Sequence, residues 1–226
     1  MRYKALLLDI DNTLYDYNVT HAFAKSKVIE YCMSILNFTK EEINSAYDKA
    51  RHKVHIELCE TAASHNRLLY FQKMLEILNV NPLEYSFDIY NVYWDSFLDK
   101  LVPFEGIYTL LEKYKGNICL VTDLTAHIQY RKVKKLGLEK YCNAIVTSEE
   151  AGHEKPHPYM FMLALQKLGL EGKDVCMIGD SFKKDVLGAA GAGIASVWFN
   201  HESKQESHND NLISEVKSFN EIIDLV

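Results

Sequence analysis

Residues 3–14 read YKALLLDIDNTL, and this stretch decides the fold. Residues 3–10 form a short, continuous apolar run rich in leucine, the pattern of a strand buried on both faces of a parallel sheet. The pattern returns at residues 117–122 (NICLVT), 144–146 (AIV), 175–178 (VCMI) and 194–199 (IASVWF). Helix-like segments lie between these runs: residues 126–135 stop at Gly137 and residues 158–168 stop at Gly169. Strands alternating with helices predict an α/β fold with a Rossmann-like, doubly wound parallel sheet. Ligands of such sheets bind beyond the carboxyl ends of the strands.

Just after the first run the alternation breaks. Residues 17–101 contain almost no strand-like run and little Gly or Pro. Residues 20–36, 40–59 and 66–78 show helical spacing of apolar side chains, and Thr39 with Glu42 forms a capping-box pattern. We therefore expect an α/β core made of residues 1–16 and 102–226, with residues 17–101 as a helical insertion placed directly after the first strand. The aromatic stretch 85–97 (YSFDIYNVYWDSF) packs among the inserted helices or offers a stacking platform. His52, His55 and Cys59 share a helix face near His65, but no second cluster completes a tetrahedral zinc set, which favours a polar helix face. Residues 200–211 read as a polar solvent loop before a short final helix at 220–225.

Composition narrows the function classes. The chain has 226 residues, with 25 Lys and Arg against 31 Asp and Glu, a net charge of −6. That mild acidity gives no electrostatic footprint for nucleic acid or an anionic membrane. The N-terminal apolar run is too short for a secretion signal, and no stretch is long and apolar enough to span a bilayer. The five cysteines are odd in number and form no CxxC pair, so a reducing cytoplasm is the expected setting. A monomer or weak homodimer is the default expectation.

Four places with chemical potential sit at or just after a strand-like run. Asp9 and Asp11 can face the same side of an extended chain, where a divalent cation would relieve their repulsion; hard oxygen ligands select magnesium. An acidic turn or helix cap is the competing reading. Thr122-Asp123 can offer a hydroxyl and backbone N–H groups to a phosphoryl oxygen, or serve as an N-cap. Lys155, in the proline-stiffened EKPHP at 154–158, can offset charge on a nucleophile and a transferring phosphate, or be a solvated lysine before a helix. Gly179 allows a tight turn after VCMI; Asp180 and Asp185 can add oxygens to the cation, or be a cap and an exposed acid.

Together and in this order, the four places resemble the haloacid dehalogenase superfamily of phosphohydrolases. The resemblance rests on DIDNTL at 9–14, VTD at 121–123, the EKPHP lysine, GDSFKKD at 179–185, and flanking text such as KKLGL at 134–138 and AAGAGI at 189–194. It covers nearly the whole chain, and the helical insertion looks like the cap of one subgroup. The resemblance implies Asp9 as a covalent nucleophile and Asp11 as the acid and base that serves it. It implies magnesium held by the Asp9 carboxylate, the Asp11 carbonyl and Asp180, with Asp185 in support. Thr122, Asp123 and Lys155 would line the phosphoryl group; Arg67 would either meet the far part of the substrate or make a helix-surface salt bridge. Many relatives have Asn where this chain has Asp123, which leaves the contacts to the leaving group open. The expected reaction is magnesium-dependent hydrolysis of a small phosphorylated metabolite, such as a nucleoside monophosphate or sugar phosphate. The alternatives are 2-haloacid dehalogenation and phosphomutase chemistry.

Overall fold

The computed structural model describes residues 2–206 and 211–226. The chain divides into two compact units, Met1–Asp16 with Val102–Val226, and Tyr17–Leu101.

The first unit is built on one parallel sheet. Its strands are β1 (Ala5–Leu8), β2 (Ile118–Thr122), β3 (Ala144–Thr147), β4 (Val175–Gly179), β5 (Ala195–Phe199) and β6 (Ile213–Val216). They lie in the order β3-β2-β1-β4-β5-β6. Every residue of β1, β2 and β4 is buried, which is why these strands read as unbroken apolar runs. Leu7 pairs with Cys119 on one side and Met177 on the other, so β1 is central. β6 was not legible in the sequence; its ISEV leaves Ser214 partly exposed and Glu215 exposed, and gives no apolar run. The chain builds the sheet outward from β1 through β2 and β3, then returns to β1's other side with β4. The order therefore reverses between β1 and β4, the switch point beyond whose carboxyl ends such sheets bind their ligands.

The second unit holds four helices: α1 (Tyr17–Ile35), α2 (Lys40–Glu57), α3 (Arg67–Ile77) and α4 (Pro82–Lys100). Thr39 and Glu42 close the capping box that opens α2. Asn66 caps α3, and Asn81 with Pro82 opens α4, which accounts for the aromatic stretch. Tyr93, Trp94 and Phe97 are buried, and the Trp94 ring meets Tyr93 edge-on at 5.0 Å and Phe97 at 5.2 Å. These rings pack the unit's interior.

In the first unit, α5 (Ile107–Lys113), α6 (Ala126–Leu136), α7 (Ser148–Ala151), α8 (Pro158–Leu168), α9 (Leu187–Gly191) and α10 (Phe219–Leu225) accompany the sheet. α6 and α8 end on Gly137 and Gly169, both at positive φ, as their sequence predicts. On one face, Leu7, Val121 and Met177 pack against Met160, Phe161 and Ala164 of α8. The expected polar loop at 200–211 lies partly outside the described residues. Its first residue, Asn200, is buried rather than solvated: its amide donates to the Lys204 carbonyl at 2.9 Å and to Glu215 at 2.7 Å.

Candidate active site

Asp9 follows β1 directly and Asp180 follows β4 directly, so the sheet's reversal brings the two acids together. A single wide π-type turn, Phe182–Val186, then presents Asp185. One carboxylate oxygen from each of Asp9, Asp180 and Asp185 lies within 4.8 Å of the others. Gly179 makes this approach possible, since a Cβ there would stand 2.3 Å from an Asp185 oxygen. The Trp198 indole N–H holds the Asp180 carbonyl at 2.9 Å, and the Thr13 hydroxyl bridges Asp9 Oδ2 (3.1 Å) and the Asp180 N–H (3.0 Å).

Lys155 is the cation within this cluster. Its ammonium donates to Asp9 Oδ1 at 2.6 Å, Asp185 Oδ1 at 2.6 Å and the Val121 carbonyl at 2.9 Å. Asp9, Asp185 and Lys155 are all buried, at 5%, 1% and 4% exposure. Two of the three carboxylates share one buried ammonium, and the third, Asp180, has only a 3.3 Å contact from the half-exposed Lys204 as cationic partner. Negative charge is therefore in excess. Burial, with Asp185 and Asp11 close by, pushes the Asp9 carboxyl up to about 7 despite Lys155. Burial and then the Asp9 charge raise Asp180, and burial raises Asp185 against the pull of Lys155. Burial alone would strip the Lys155 proton, but Asp185 and Asp9 hold it firmly on. An all-oxygen donor set with surplus negative charge fits a hard divalent cation such as magnesium. Asp185, expected in a supporting role, stands within the trio itself.

The Asp11 side chain is outside that trio. Lys132 donates to its two oxygens at 2.5 and 2.7 Å, Gln129 donates at 3.1 Å, and the Tyr15 hydroxyl donates as well. Burial would raise this carboxyl, yet the Lys132 charge prevails and holds it below its ordinary range. Thr122, the last residue of β2, is fully buried and accepts from Gln129 Nε2 at 2.8 Å.

Asp123 has its carboxylate engaged. One oxygen accepts the Lys155 backbone N–H at 3.0 Å and the other accepts Lys184 Nζ at 2.7 Å, while Lys184 also reaches Glu154 at 3.2 Å. The acid unusual at this place thus ties down the Lys155 loop, and Lys184 balances its charge. Arg67 belongs to the helical unit, where it is buried; it donates to the His65 carbonyl at 2.7 Å, to Tyr93 at 3.4 Å and to the Tyr17 hydroxyl. His55 pairs with the Tyr70 hydroxyl at 2.6 Å and meets His65 edge-on. Among the described residues, the one group of three acids, histidines or cysteines close enough to share an ion is Asp9, Asp180 and Asp185.

Sequence reasoning missed Lys132, Gln129, Lys184 and Thr13. A signal existed for two of them: Ile128, Gln129, Lys132, Val133 and Leu136 make up the buried stripe of α6, so Gln129 and Lys132 stand at core positions of an amphipathic helix.

No described helix is long and apolar enough to cross a membrane. A family model for haloacid dehalogenase-like hydrolases matches residues 3–193. The chain is 34% identical over 209 residues to a ribulose-1,5-bisphosphate 5-phosphatase of Halopiger xanaduensis, covering 90% of this chain and 87% of that one. It is 25% identical over 211 residues to the pyrimidine 5'-nucleotidase YjjG of Escherichia coli, covering 91% and 90%. Its fold is similar to that of the HAD-hydrolase YfnB from Bacillus subtilis, solved bound to magnesium, with a TM-score of 0.73, 20% identity and coverage of 100% and 99%. With both the strand-end acids and these similarities in view, the chain belongs to the haloacid dehalogenase-like hydrolases.

Proposed function

We propose that this chain is a magnesium-dependent phosphohydrolase that moves the phosphoryl group of a small phosphorylated metabolite onto Asp9 and then onto water. The observation that carries the reading is the surplus of negative charge at the buried Asp9 and Asp185 and the part-buried Asp180, gathered at the sheet's switch point beside Lys155.

An Asp9 oxygen bonds to phosphorus as the bond from phosphorus to the ester oxygen breaks. The Asp11 carboxylate takes up the proton that a phosphate monoanion brings with it and passes it to the departing alkoxide oxygen. Asp11, then a carboxylate, takes a proton from water as the water oxygen bonds to phosphorus and the Asp9–phosphorus link breaks. The products are an alcohol and inorganic phosphate. Lys155 and Thr122 bind phosphoryl oxygens and align them with Asp9; positioning and charge balance supply most of such catalysis. Asp9, Asp180 and the Asp11 carbonyl, with Asp185 beside them, would hold magnesium, which supplies positive charge against the phosphoryl oxygens when bound.

Residues 17–101 serve as a cap that governs access, and Arg67 reads the far end of the substrate. Support for Arg67 comes from its burial among neutral partners, with no carboxylate among its hydrogen bonds. A sugar phosphate or nucleoside monophosphate is the substrate class; relatives named for a sugar bisphosphate and for pyrimidine nucleotides support it. The work is done in a reducing cytoplasm, in keeping with five unbridged cysteines.

Phosphate release from a panel of sugar phosphates and nucleotides, with magnesium and with EDTA, tests the reading. Release should need magnesium and disappear in Asp9→Asn. Chloride freed from a 2-chloroacid in EDTA would replace it with dehalogenase chemistry, and an isomeric sugar phosphate as product would replace it with a mutase.

A further inference from the structure

A lysine on the apolar face of a helix calls for an explanation. Lys132 is 0% exposed, whereas Lys134 and Lys135 on the same helix are exposed. Burying an ammonium is costly unless it is well paired, and an apolar residue of like volume would pack there without that cost. What Lys132 gains is Asp11: its Nζ reaches both carboxylate oxygens, at 2.5 and 2.7 Å. Gln129, one turn earlier on α6, donates to Oδ2, and Tyr15 donates to Oδ1. Donors from two directions thus grip both oxygens, and the carboxylate cannot turn without breaking several hydrogen bonds. Gln129 also donates to Thr122 Oγ1 and to the Asp123 carbonyl, so the same helix turn sets Asp11 relative to the end of β2.

We propose that Lys132 is a positioning residue that holds the Asp11 carboxyl in the orientation from which it exchanges protons with the leaving oxygen and with water. The proposal rests on the proton-carrying role given to Asp11 above. Proton transfer is sensitive to such geometry, because a positioned group must lie within hydrogen-bond reach of the atom it serves. Lys132 itself touches no reacting atom; it acts through Asp11.

The test compares two substrates in the full-length, magnesium-loaded protein. Ribose 5-phosphate has an alkoxide leaving group that needs a proton. p-Nitrophenyl phosphate has one that departs without a proton. In Lys132→Met, kcat for ribose 5-phosphate should fall about 10²-fold with KM little changed, the size expected for losing a placed acid. With p-nitrophenyl phosphate, rapid mixing should show a burst of one nitrophenolate per enzyme at the wild-type rate. Slow steady turnover should follow, since Asp11 still has to activate water. Lys132→Arg keeps a cation beside Asp11 and should recover part of the ribose 5-phosphate rate. Should Lys132→Met fail to fold, Tyr15→Phe, which removes one donor to Asp11, should show the same pattern at smaller amplitude.

A proportional fall for both substrates with no burst, or no fall at all, would overturn the proposal. If the wild-type protein releases phosphate from neither substrate, nor from any other on the panel, the phosphohydrolase reading itself fails, and the two failures are distinguishable.

Discussion

Asp9→Asn should abolish turnover and yet make the metal-free protein more stable at neutral and alkaline pH. The native Asp9 carboxyl is raised from 3.8 to about 7, first by burial and then by the neighbouring acids. One pKa unit corresponds to about 1.4 kcal/mol, so the ionised carboxylate destabilises the fold by roughly 4 kcal/mol, an order-of-magnitude figure. The sign follows from proton linkage. The folded chain binds the Asp9 proton more tightly than the unfolded chain, so its contribution to stability is present below pH 3.8 and is lost as pH rises towards 7. Asn carries no proton to lose and keeps nearly the same shape. Lys155 still has Asp185 and the Val121 carbonyl as partners. The variant and wild type should therefore melt together near pH 4 and diverge as pH rises. For a chain of this size, about 1 kcal/mol moves the melting temperature by roughly 2–4 °C, so a rise of several degrees and up to about 10 °C at pH 8 in EDTA is expected. Magnesium should raise the wild-type melting temperature and do much less for the variant. Thermal melts at pH 4, 6 and 8, with EDTA or magnesium, read all of this. If Asp9→Asn melts lower than wild type at pH 8 in EDTA, the acid trio does not carry surplus charge and the metal argument loses its footing.

Gly179→Ala should weaken magnesium binding and cut kcat by about 10²-fold, because a Cβ 2.3 Å from an Asp185 oxygen forces that carboxylate away; magnesium titration followed by activity checks it. The raised Asp9 and Asp180 carboxyls mean that magnesium must displace protons, so its affinity should climb from pH 5 to pH 7 with measurable proton release. Calorimetry in two buffers of different ionisation heat reads that release, and an affinity flat with pH would contradict it. Phe97→Ala should cost about 3–5 kcal/mol in the helical unit, since a fully buried ring against Trp94 leaves a cavity; denaturant melts followed by tryptophan fluorescence report the loss.

The sheet was legible because its central strands are buried on both faces, so each reads as an unbroken apolar run ending at an acid or a glycine. β1 and β4 announce themselves this way, and with them the positions of Asp9 and Asp180. β6 is an edge strand with Ser214 and Glu215 on it, and four residues of mixed polarity carry no such signal. Within the site, the acids stood out as acids at strand ends. Lys132 did not, because RKVKK at 131–135 looks like a solvated basic run until the helix phase is followed from Ile128 to Leu136. Asp123 was visible as an unusual acid, but its neutraliser, Lys184, lies 61 positions away and approaches only once the sheet has formed. Long-range pairing of this kind leaves no local periodicity to read.

Covalent bond formation at Asp9 can be observed directly. Rapid mixing of the magnesium-loaded protein with substrate, acid quenching and borohydride reduction convert an aspartyl-phosphate into homoserine. Mass spectrometry of the peptide spanning residues 5–16 should then place homoserine at position 9 and leave Asp11 unaltered. Turnover of substrate with an unmodified position 9, or with the phosphoryl group trapped on another residue, would contradict the mechanism.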